Sequence, residues 1–261
     1  MLPRTLYTRS SNCFQRIIHH TGYRINNRLF STTSFTKTAL VTGGNRGIGL
    51  EVCKQLSDMG INVIMGTRKL ENGVNALEKE FTKEQRDRVT LLQLDISDTY
   101  SISDAVKHVE SNYDPIDIVV NNAGINLSTS PNSRKMLNET LSTNYYGTVE
   151  FTQSILPLMT TQKTSKCPTS SAYFSRIVTV SNRDAALQKV SPELQQRFLK
   201  EDLDETELHG IMEQFKKDSL KYIEKGDDAE VDSVIMNEGW LKCPYLMSYI
   251  GINMFTRILG Q

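Results

Sequence analysis

The stretch Thr42-Gly43-Gly44-Asn45-Arg46-Gly47-Ile48-Gly49 joins an apolar run at residues 39–41 to an amphipathic run at residues 50–56. This order predicts a strand, a glycine-rich turn and a helix, the arrangement in which backbone N–H groups and a helix N-terminus receive a pyrophosphate. Glycine suits such a turn because a Cβ would block either its conformation or the approach of the phosphates. Many glycine-rich turns bind nothing, but the strand and helix that flank this one favour nucleotide binding.

Apolar runs and helical patterns alternate through the following part of the chain. Further strands are predicted at residues 61–66, 89–94, 116–120 and 176–181, and helices at residues 73–81, 101–113 and 139–159. Strands that alternate with helices form a parallel, doubly wound sheet. We therefore expect a single α/β domain with a Rossmann-like fold.

The residue after the second predicted strand indicates which dinucleotide is bound. Sites that prefer NAD place an acidic residue near this point to accept a hydrogen bond from the ribose 2′-hydroxyl. This chain has Arg68 there, and Arg46 lies in the glycine-rich turn. Guanidinium groups bind phosphate in a bidentate manner, so the pair favours the 2′-phosphate of NADP(H). The alternative is that both are hydrated surface arginines.

Four motifs together resemble the short-chain dehydrogenase/reductase family. They are the turn at residues 42–49, Asp95 after the third strand, the Asn-Asn-Ala-Gly sequence at residues 121–124, and Asn144 on a predicted helix. Residues 191–198 and 238–240 also resemble segments of the monomeric NADPH-dependent carbonyl reductases, and the likeness runs from residue 37 to the C-terminus. The resemblance implies a small-molecule carbonyl substrate and NADP(H) as coenzyme. It assigns coenzyme contacts to Gly43, Asn45, Arg46, Gly47, Ile48, Gly49, Arg68, Asp95, Ile96, Asn122, Ala123, Gly124 and Tyr249.

The family's catalytic motif is Tyr-x-x-x-Lys, which places both side chains on one helix face. In the resembled enzymes the tyrosine donates a proton to the carbonyl oxygen, and the lysine stabilises the resulting tyrosinate and holds the nicotinamide ribose. Here Tyr245 occupies the tyrosine position and Tyr249 the lysine position. The pKa of a phenol is ordinarily near 10. A neighbouring cation lowers this pKa towards neutral pH, whereas an uncharged tyrosine does not. Lys242 precedes the predicted helix, so we do not expect it to substitute.

Two further catalytic positions depend on the same resemblance. Carbonyl reductases carry two serines after strand five, and the second bonds the substrate carbonyl; here the pair reads Ser181 and Asn182. Asn182 either donates an N–H to a developing oxyanion or merely ends the strand, and strand alternation directs Ser181 to the opposite side. Asn144 corresponds to the asparagine whose backbone carbonyl holds a water of the proton relay. Alternatively, Asn144 stabilises a helix kink by bonding its own backbone.

Residues 183–244 form a long insertion with helical patterns at 192–199 and 205–224. In the resembled reductases this insertion covers the helices that other members use to form dimers, so we expect a monomer. A last helix is predicted at residues 245–259. The sixth and seventh strands of the family are expected to be missing after it, which would leave strand five at a sheet edge. A splice product, a partial gene model and a decayed paralogue would all have this appearance.

Two functions follow from these observations. The first is NADPH-dependent reduction of ketones, aldehydes or quinones by hydride transfer. The second is a catalytically deficient NADP(H)-binding protein, which the tyrosine at position 249 and the asparagine at position 182 favour. We expect coenzyme binding with weak or absent turnover.

Composition limits the other classes. The formal net charge is zero, so no electrostatic argument supports nucleic-acid binding. No apolar run reaches the length of a membrane span, and the separated cysteines and histidines predict neither a disulfide framework nor a metal site. Residues 1–36 contain five arginines and no acidic residue, which predicts a mitochondrial transit peptide with cleavage after Phe30. Alternatively, these residues are a disordered basic extension or result from a mispredicted start codon, and the protein is cytoplasmic. The catalytic domain is expected at residues 37–261.

Overall fold

Five parallel strands form one sheet in the order β3-β2-β1-β4-β5. The computed structural model describes residues 36–113, 115–127, 134–159, 175–224, 236 and 238–261. The strands are β1 (Thr38–Val41), β2 (Asn62–Thr67), β3 (Val89–Gln93), β4 (Ile118–Asn121) and β5 (Arg176–Thr179). The strand order reverses between β1 and β4, which in doubly wound sheets opens a ligand-binding crevice at the carboxyl ends of the strands. The predicted α/β fold is confirmed.

Helices pack around the sheet, and three of the described helices follow β5. The helices are α1 (Gly47–Asp58), α2 (Leu70–Glu80), α3 (Lys83–Arg86), α4 (Thr99–Asn112), α5 (Arg134–Leu141), α6 (Thr148–Ile155), α7 (Pro192–Leu199), α8 (Glu205–Glu224) and α9 (Pro244–Leu259). A π-helical turn, Ser142–Gly147, joins α5 to α6, and short 3₁₀ turns lie at Leu156–Leu158 and Leu187–Lys189. Both helices predicted in the insertion are present with the predicted bounds.

Most predicted boundaries lie within three residues of the observed ones, and three differences have an identifiable structural cause. Strand four begins at Ile118 rather than residue 116, because Ile116 pairs with Met159 instead. Strand five ends at Thr179 rather than residue 181; Val180 N–H still donates to the Asn121 carbonyl over 2.9 Å, and the chain then turns.

The third difference concerns the long helix predicted at residues 139–159. It begins five residues earlier, at Arg134, and is interrupted by the π-helical turn. At Gly147 the helix packs so closely on the loop after β3 that a Cβ would lie 1.9 Å from the Ile96 carbonyl oxygen. The Ser/Thr/Lys-rich composition of residues 160–171 favours a surface loop, but this segment lies outside the described residues.

The insertion is packed into the protein rather than appended to it. The apolar stripe of α8 is buried and contributes Leu208, Ile211, Met212 and Phe215 to one core cluster with residues of α5, α7 and α9. Trp240 is also buried there, and its ring meets that of Phe215 edge to face at a centroid distance of 5.7 Å. This cluster supports α9, the helix that carries the predicted catalytic tyrosine.

Candidate active site

The glycine-rich turn is held by the segment that follows β4. Thr42 Oγ1 accepts hydrogen bonds from the backbone N–H groups of Asn122 and Ala123, at 3.0 and 2.9 Å. The Asn122 side-chain amide donates to the carbonyl oxygens of Thr42 and Gly43, at 2.9 and 3.2 Å. Hydrogen bonds therefore join the ends of β1 and β4 at the point where the strand order reverses.

Two glycines of the turn satisfy geometric requirements that other residues would not. Gly47, the first residue of α1, has a φ of +57°, a conformation that L-residues rarely adopt. At Gly49 a Cβ would lie 2.3 Å from Asn122 Nδ2. The helix has no acidic residue in its first turn, and the preceding Arg46 caps none of its N–H groups. These unpaired N–H groups suit an anion.

Arg46 and Arg68 are both exposed at this end of the sheet. Neither arginine forms an ion pair or a side-chain hydrogen bond within the part of the chain that the structure describes. This exposure is compatible with binding of a 2′-phosphate and also with simple hydration. Asn45 is half-buried within the turn, and the Ile48 side chain is 64% exposed.

Asp95 and Ile96 form the loop after β3. The Asp95 carboxylate accepts hydrogen bonds from Ser97, from its N–H at 3.0 Å and from its hydroxyl at 2.6 Å. Its contacts within the protein therefore shape the loop. The Ile96 side chain is buried, and its carbonyl faces Gly147 as described above.

Asn144 lies in the π-helical turn and is buried. Its side-chain oxygen accepts from the N–H of Ile125 at 2.8 Å, and its amide donates to the Ile125 carbonyl at 2.9 Å. The alternative that Asn144 bonds the backbone of its own helix is therefore wrong, because its amide bonds the segment just after Gly124 instead. The helix is nevertheless irregular at this position.

Asn182 and Tyr245 are brought together although they are 63 residues apart. The Asn182 amide nitrogen lies 3.3 Å from the Tyr245 hydroxyl oxygen. The Asn182 side-chain oxygen accepts from the N–H of Asp184 at 2.7 Å, so the amide group is oriented with its nitrogen towards the phenol. Ser181 also faces α9, where it donates to Asn253 at 2.6 Å; the opposite direction predicted from strand alternation is wrong, because β5 already ends at Thr179.

Tyr249 lies one helical turn after Tyr245. The two rings meet edge to face at a centroid distance of 5.0 Å. A Cβ placed on Gly124 would be 2.7 Å from the Tyr249 hydroxyl, so this hydroxyl faces the Asn-Asn-Ala-Gly segment. Burial raises the pKa of Tyr249 to about 12, with smaller contributions from the charge of Tyr245 and from a hydrogen bond with it.

Lys242 does not take the place of the missing lysine. It precedes α9, as predicted, and its ammonium lies over the ring of Tyr222 at 5.0 Å from the centroid. Its described aromatic contact is thus with α8 rather than with the phenol of Tyr245.

Sequence reasoning missed Ser248, which links the two halves of the site. This fully buried serine donates to the Tyr245 carbonyl at 2.7 Å and accepts from the Asn144 amide at 3.2 Å. The available signal was its spacing of three residues from Tyr245, which places both on neighbouring parts of one helix face.

The described ranges contain no group of three or more histidine, cysteine or acidic side chains that could hold a metal ion. None of the helices described is long and apolar enough to cross a membrane.

Comparison with known proteins places this geometry in context. The sequence model of the short chain dehydrogenase family matches residues 37–173. The chain is 33% identical over 225 residues to "Carbonyl reductase [NADPH] 1" of Homo sapiens, covering 84% of this chain and 72% of the relative. The solved structure of menthone neomenthol reductase from Mentha piperita has a TM-score of 0.69 at 27% identity, covering 87% of this chain and 86% of that one. Salutaridine reductase from Papaver somniferum has a TM-score of 0.67 at 25% identity, with coverage of 86% and 81%.

Proposed function

This chain belongs to the short-chain dehydrogenase family, and we propose that it is an oxidoreductase that uses NADPH to reduce small carbonyl compounds. The substrate classes are ketones, aldehydes and quinones. Support comes from the sequence likeness to the human NADPH carbonyl reductase and from the arrangement of Asn182 and Tyr245. The contact between these two side chains is the observation that carries the proposal.

The residues present fit a phosphorylated dinucleotide. The turn from Gly43 to Gly49 packs closely on residues 122–123 and leaves the α1 N–H groups available to the pyrophosphate. The exposed Arg46 and Arg68 would hold the 2′-phosphate. Gly124 and Tyr249 face each other where the family resemblance implies contact with the nicotinamide ribose. When bound, NADPH supplies the hydride.

Tyr245 is the general acid in this proposal. As the carbonyl carbon gains a hydride, the carbonyl oxygen takes the phenolic proton, and the products are an alcohol and NADP⁺. Asn182 stands beside the phenol with an N–H directed towards it, so that it can also donate to negative charge that develops on a nearby oxygen. Asn144 and Ser248 hold α9 and the segment after β4 in register, which keeps the acid in place.

A second candidate function is coenzyme binding without turnover. One observation favours it: the lysine position of the catalytic motif is occupied by Tyr249, which carries no positive charge. The coenzyme-binding half of the site is the same in both candidates. Only the chemistry at Tyr245 differs between them.

Titration and turnover separate these candidates. Purified protein is titrated with NADPH while coenzyme fluorescence is followed, and turnover is then measured with one aldehyde, one ketone and one quinone. We expect saturable binding at micromolar concentration and slow turnover that Tyr245→Phe abolishes. Saturable binding with no turnover would support the second candidate, and the absence of any saturable signal would contradict both.

Location and assembly are also proposals. We propose that the arginine-rich leader, which lies outside the described residues, directs import into mitochondria, and that the protein is a monomer. Import is tested by the location of residues 1–36 fused to a fluorescent protein, with the five arginines changed to glutamine as the control. The mass in solution, measured by light scattering, tests the monomer.

A further inference from the structure

We propose that Tyr249 is a positioning residue for the reaction, and that its hydroxyl and the Asn182 amide together stabilise the Tyr245 phenolate in place of the family's lysine. The inference rests on the proposed carbonyl reduction, in which Tyr245 loses its proton. The phenolate is then held by two uncharged hydrogen-bond donors from different parts of the fold. One donor comes from the same helix, and the other comes from the turn after β5.

The first donor is placed by helix geometry. Tyr249 follows Tyr245 by four residues, so both phenols project from one face of α9. Their edge-to-face contact at 5.0 Å fixes the relative orientation of the rings. Gly124 leaves room for the Tyr249 hydroxyl, since a side chain at this position would displace it.

The Tyr249 hydroxyl keeps its proton well above neutral pH, because burial disfavours its charged form. Burial raises its pKa to about 12, and charge on Tyr245 and the hydrogen bond between the two phenols act in the same direction. A group that holds its proton while its neighbour ionises acts as the donor in the hydrogen bond between them. This is the direction needed to stabilise negative charge on Tyr245.

The second donor is oriented by a turn. Because the Asn182 oxygen accepts from the Asp184 N–H at 2.7 Å, the amide nitrogen must face the phenol, 3.3 Å away. Donors that are oriented before the reaction need no reorganisation when charge develops. In the resembled enzymes a serine occupies this position.

Asn144 approaches the same side of Gly124 as the Tyr249 hydroxyl, and Ser248 donates to the Tyr245 backbone carbonyl. Within the described part of the chain, neither phenol forms a hydrogen bond with a charged group. Stabilisation of the phenolate by this pair therefore depends on hydrogen bonds rather than on a cation.

The step balances without any further reactant. The phenolic proton of Tyr245 passes to the carbonyl oxygen while the carbon receives the hydride, and the phenolate then recovers a proton from solvent. Tyr249 donates a hydrogen bond throughout and transfers no proton. A cation stabilises an oxyanion more strongly than a neutral hydroxyl does, so this arrangement supports a slower reaction than the family motif.

The test compares three residues at one position. Tyr249→Phe keeps the ring and removes only the hydroxyl, whereas Tyr249→Lys restores the family motif. Tyr100→Phe is the matched control, because the Tyr100 side chain is 84% exposed and forms no described contact with Tyr245 or Tyr249. We expect kcat to fall about tenfold to a hundredfold in Tyr249→Phe, to rise in Tyr249→Lys and to stay unchanged in Tyr100→Phe. The alkaline limb of the pH–rate profile should move to higher pH in Tyr249→Phe, which a merely structural role would not cause.

A second measurement decides the inference even if turnover is undetectable. Ultraviolet difference titration of the unaltered protein against Tyr245→Phe isolates the ionisation at position 245. The same comparison, made between Tyr249→Phe and the double variant Tyr249→Phe/Tyr245→Phe, should place this transition about one pH unit higher. An unchanged transition, or equal kcat for Tyr249→Phe and the unaltered protein, would overturn the role of Tyr249. If the unaltered protein shows no turnover but the titration shift is observed, the result contradicts the proposed reductase activity and not the role of Tyr249.

Discussion

Asn122 makes two hydrogen bonds to Thr42, one from its backbone N–H to the threonine hydroxyl at 3.0 Å and one from its side-chain amide to the threonine carbonyl at 2.9 Å. The two residues are 80 positions apart and end adjacent strands. Their contact sets the distance between the glycine-rich turn and the segment that faces Tyr249. The first half of the site is thereby rigidly connected to the second.

Replacement of Thr42 by valine should damage both stability and coenzyme binding. The N–H groups of Asn122 and Ala123 would lose their acceptor, which costs about 1–3 kcal/mol of unfolding free energy when such groups are shielded from water. Urea denaturation and NADPH titration measure the two effects. Thr42→Ser retains the hydroxyl and is the control; a loss in Thr42→Val no larger than that in Thr42→Ser would contradict the role of these hydrogen bonds.

Coenzyme preference should depend on Arg68. Removal of the guanidinium and addition of a carboxylate in Arg68→Glu should weaken NADPH binding at least about tenfold, because a charge-assisted contact to the 2′-phosphate is replaced by repulsion. Binding of NADH should be unaffected or improved. The dissociation constants of both coenzymes are compared with those of Arg197→Ala, an exposed arginine on α7. A parallel loss for both coenzymes would contradict recognition of the 2′-phosphate.

Asn182 can be tested without removing its turn. Asn182→Asp keeps an oxygen that accepts from the Asp184 N–H but replaces the donor with a negatively charged oxygen beside Tyr245. We expect kcat to fall about a hundredfold with little change in NADPH affinity. Asn182→Ser restores a hydroxyl donor and should retain more activity than the aspartate variant. Equal kcat in all three proteins would mean that Asn182 only ends the strand.

Acid stability should depend on Asp218, which is buried between α8 and Trp240. Burial opposes ionisation, but hydrogen bonds from Gln214, Trp240 and Lys221 outweigh it and lower the pKa of Asp218 below its ordinary value. A lowered carboxyl pKa contributes stability that is present above the unfolded-state pKa, about 3.9, and is lost as the pH falls through the folded-state value. The unfolding free energy should therefore decline below about pH 4.

The matched variant for this effect is Asp218→Asn, which keeps an acceptor for the Trp240 N–H at 3.1 Å. Its unfolding free energy, measured by urea denaturation from pH 7 to acid, should lack the part of the decline that Asp218 causes. Asp218→Ala should be less stable at every pH, by about 1–3 kcal/mol, because the indole N–H loses its acceptor. Identical acid profiles for the unaltered protein and Asp218→Asn would contradict the assignment.

Local patterns were sufficient for the coenzyme-binding half. The glycine-rich turn, the strands β1 to β4 and the helices α1, α2 and α4 each have a signal contained within one short segment. The alternation of apolar strands and amphipathic helices also implied a parallel sheet, because consecutive parallel strands are connected by a crossover helix. Errors in this half are confined to element ends, where hydrogen bonds from other segments decide the last residue.

The catalytic half needed long-range contacts. The sequence indicated that Tyr245 and Asn182 have related roles, but not that the Asp184 N–H would turn the Asn182 amide towards the phenol. It also indicated that the uncharged phenol of Tyr249 could not replace the lysine cation beside Tyr245. The position of Tyr249 against Gly124 and beside Tyr245 gives its hydroxyl a use that composition alone does not reveal.

The amino-acid sequence by itself determined the family and the type of sheet and predicted the residues that contact the coenzyme, because those depend on spacing along one or two adjacent elements. Only the tertiary structure decided that Asn144 bonds Ile125 rather than its own helix, that Ser248 links Asn144 to α9, and that the Asn182 amide faces the Tyr245 phenol. Such hydrogen bonds join residues far apart in the chain. Their direction depends on how whole helices pack against the sheet, which no local pattern encodes.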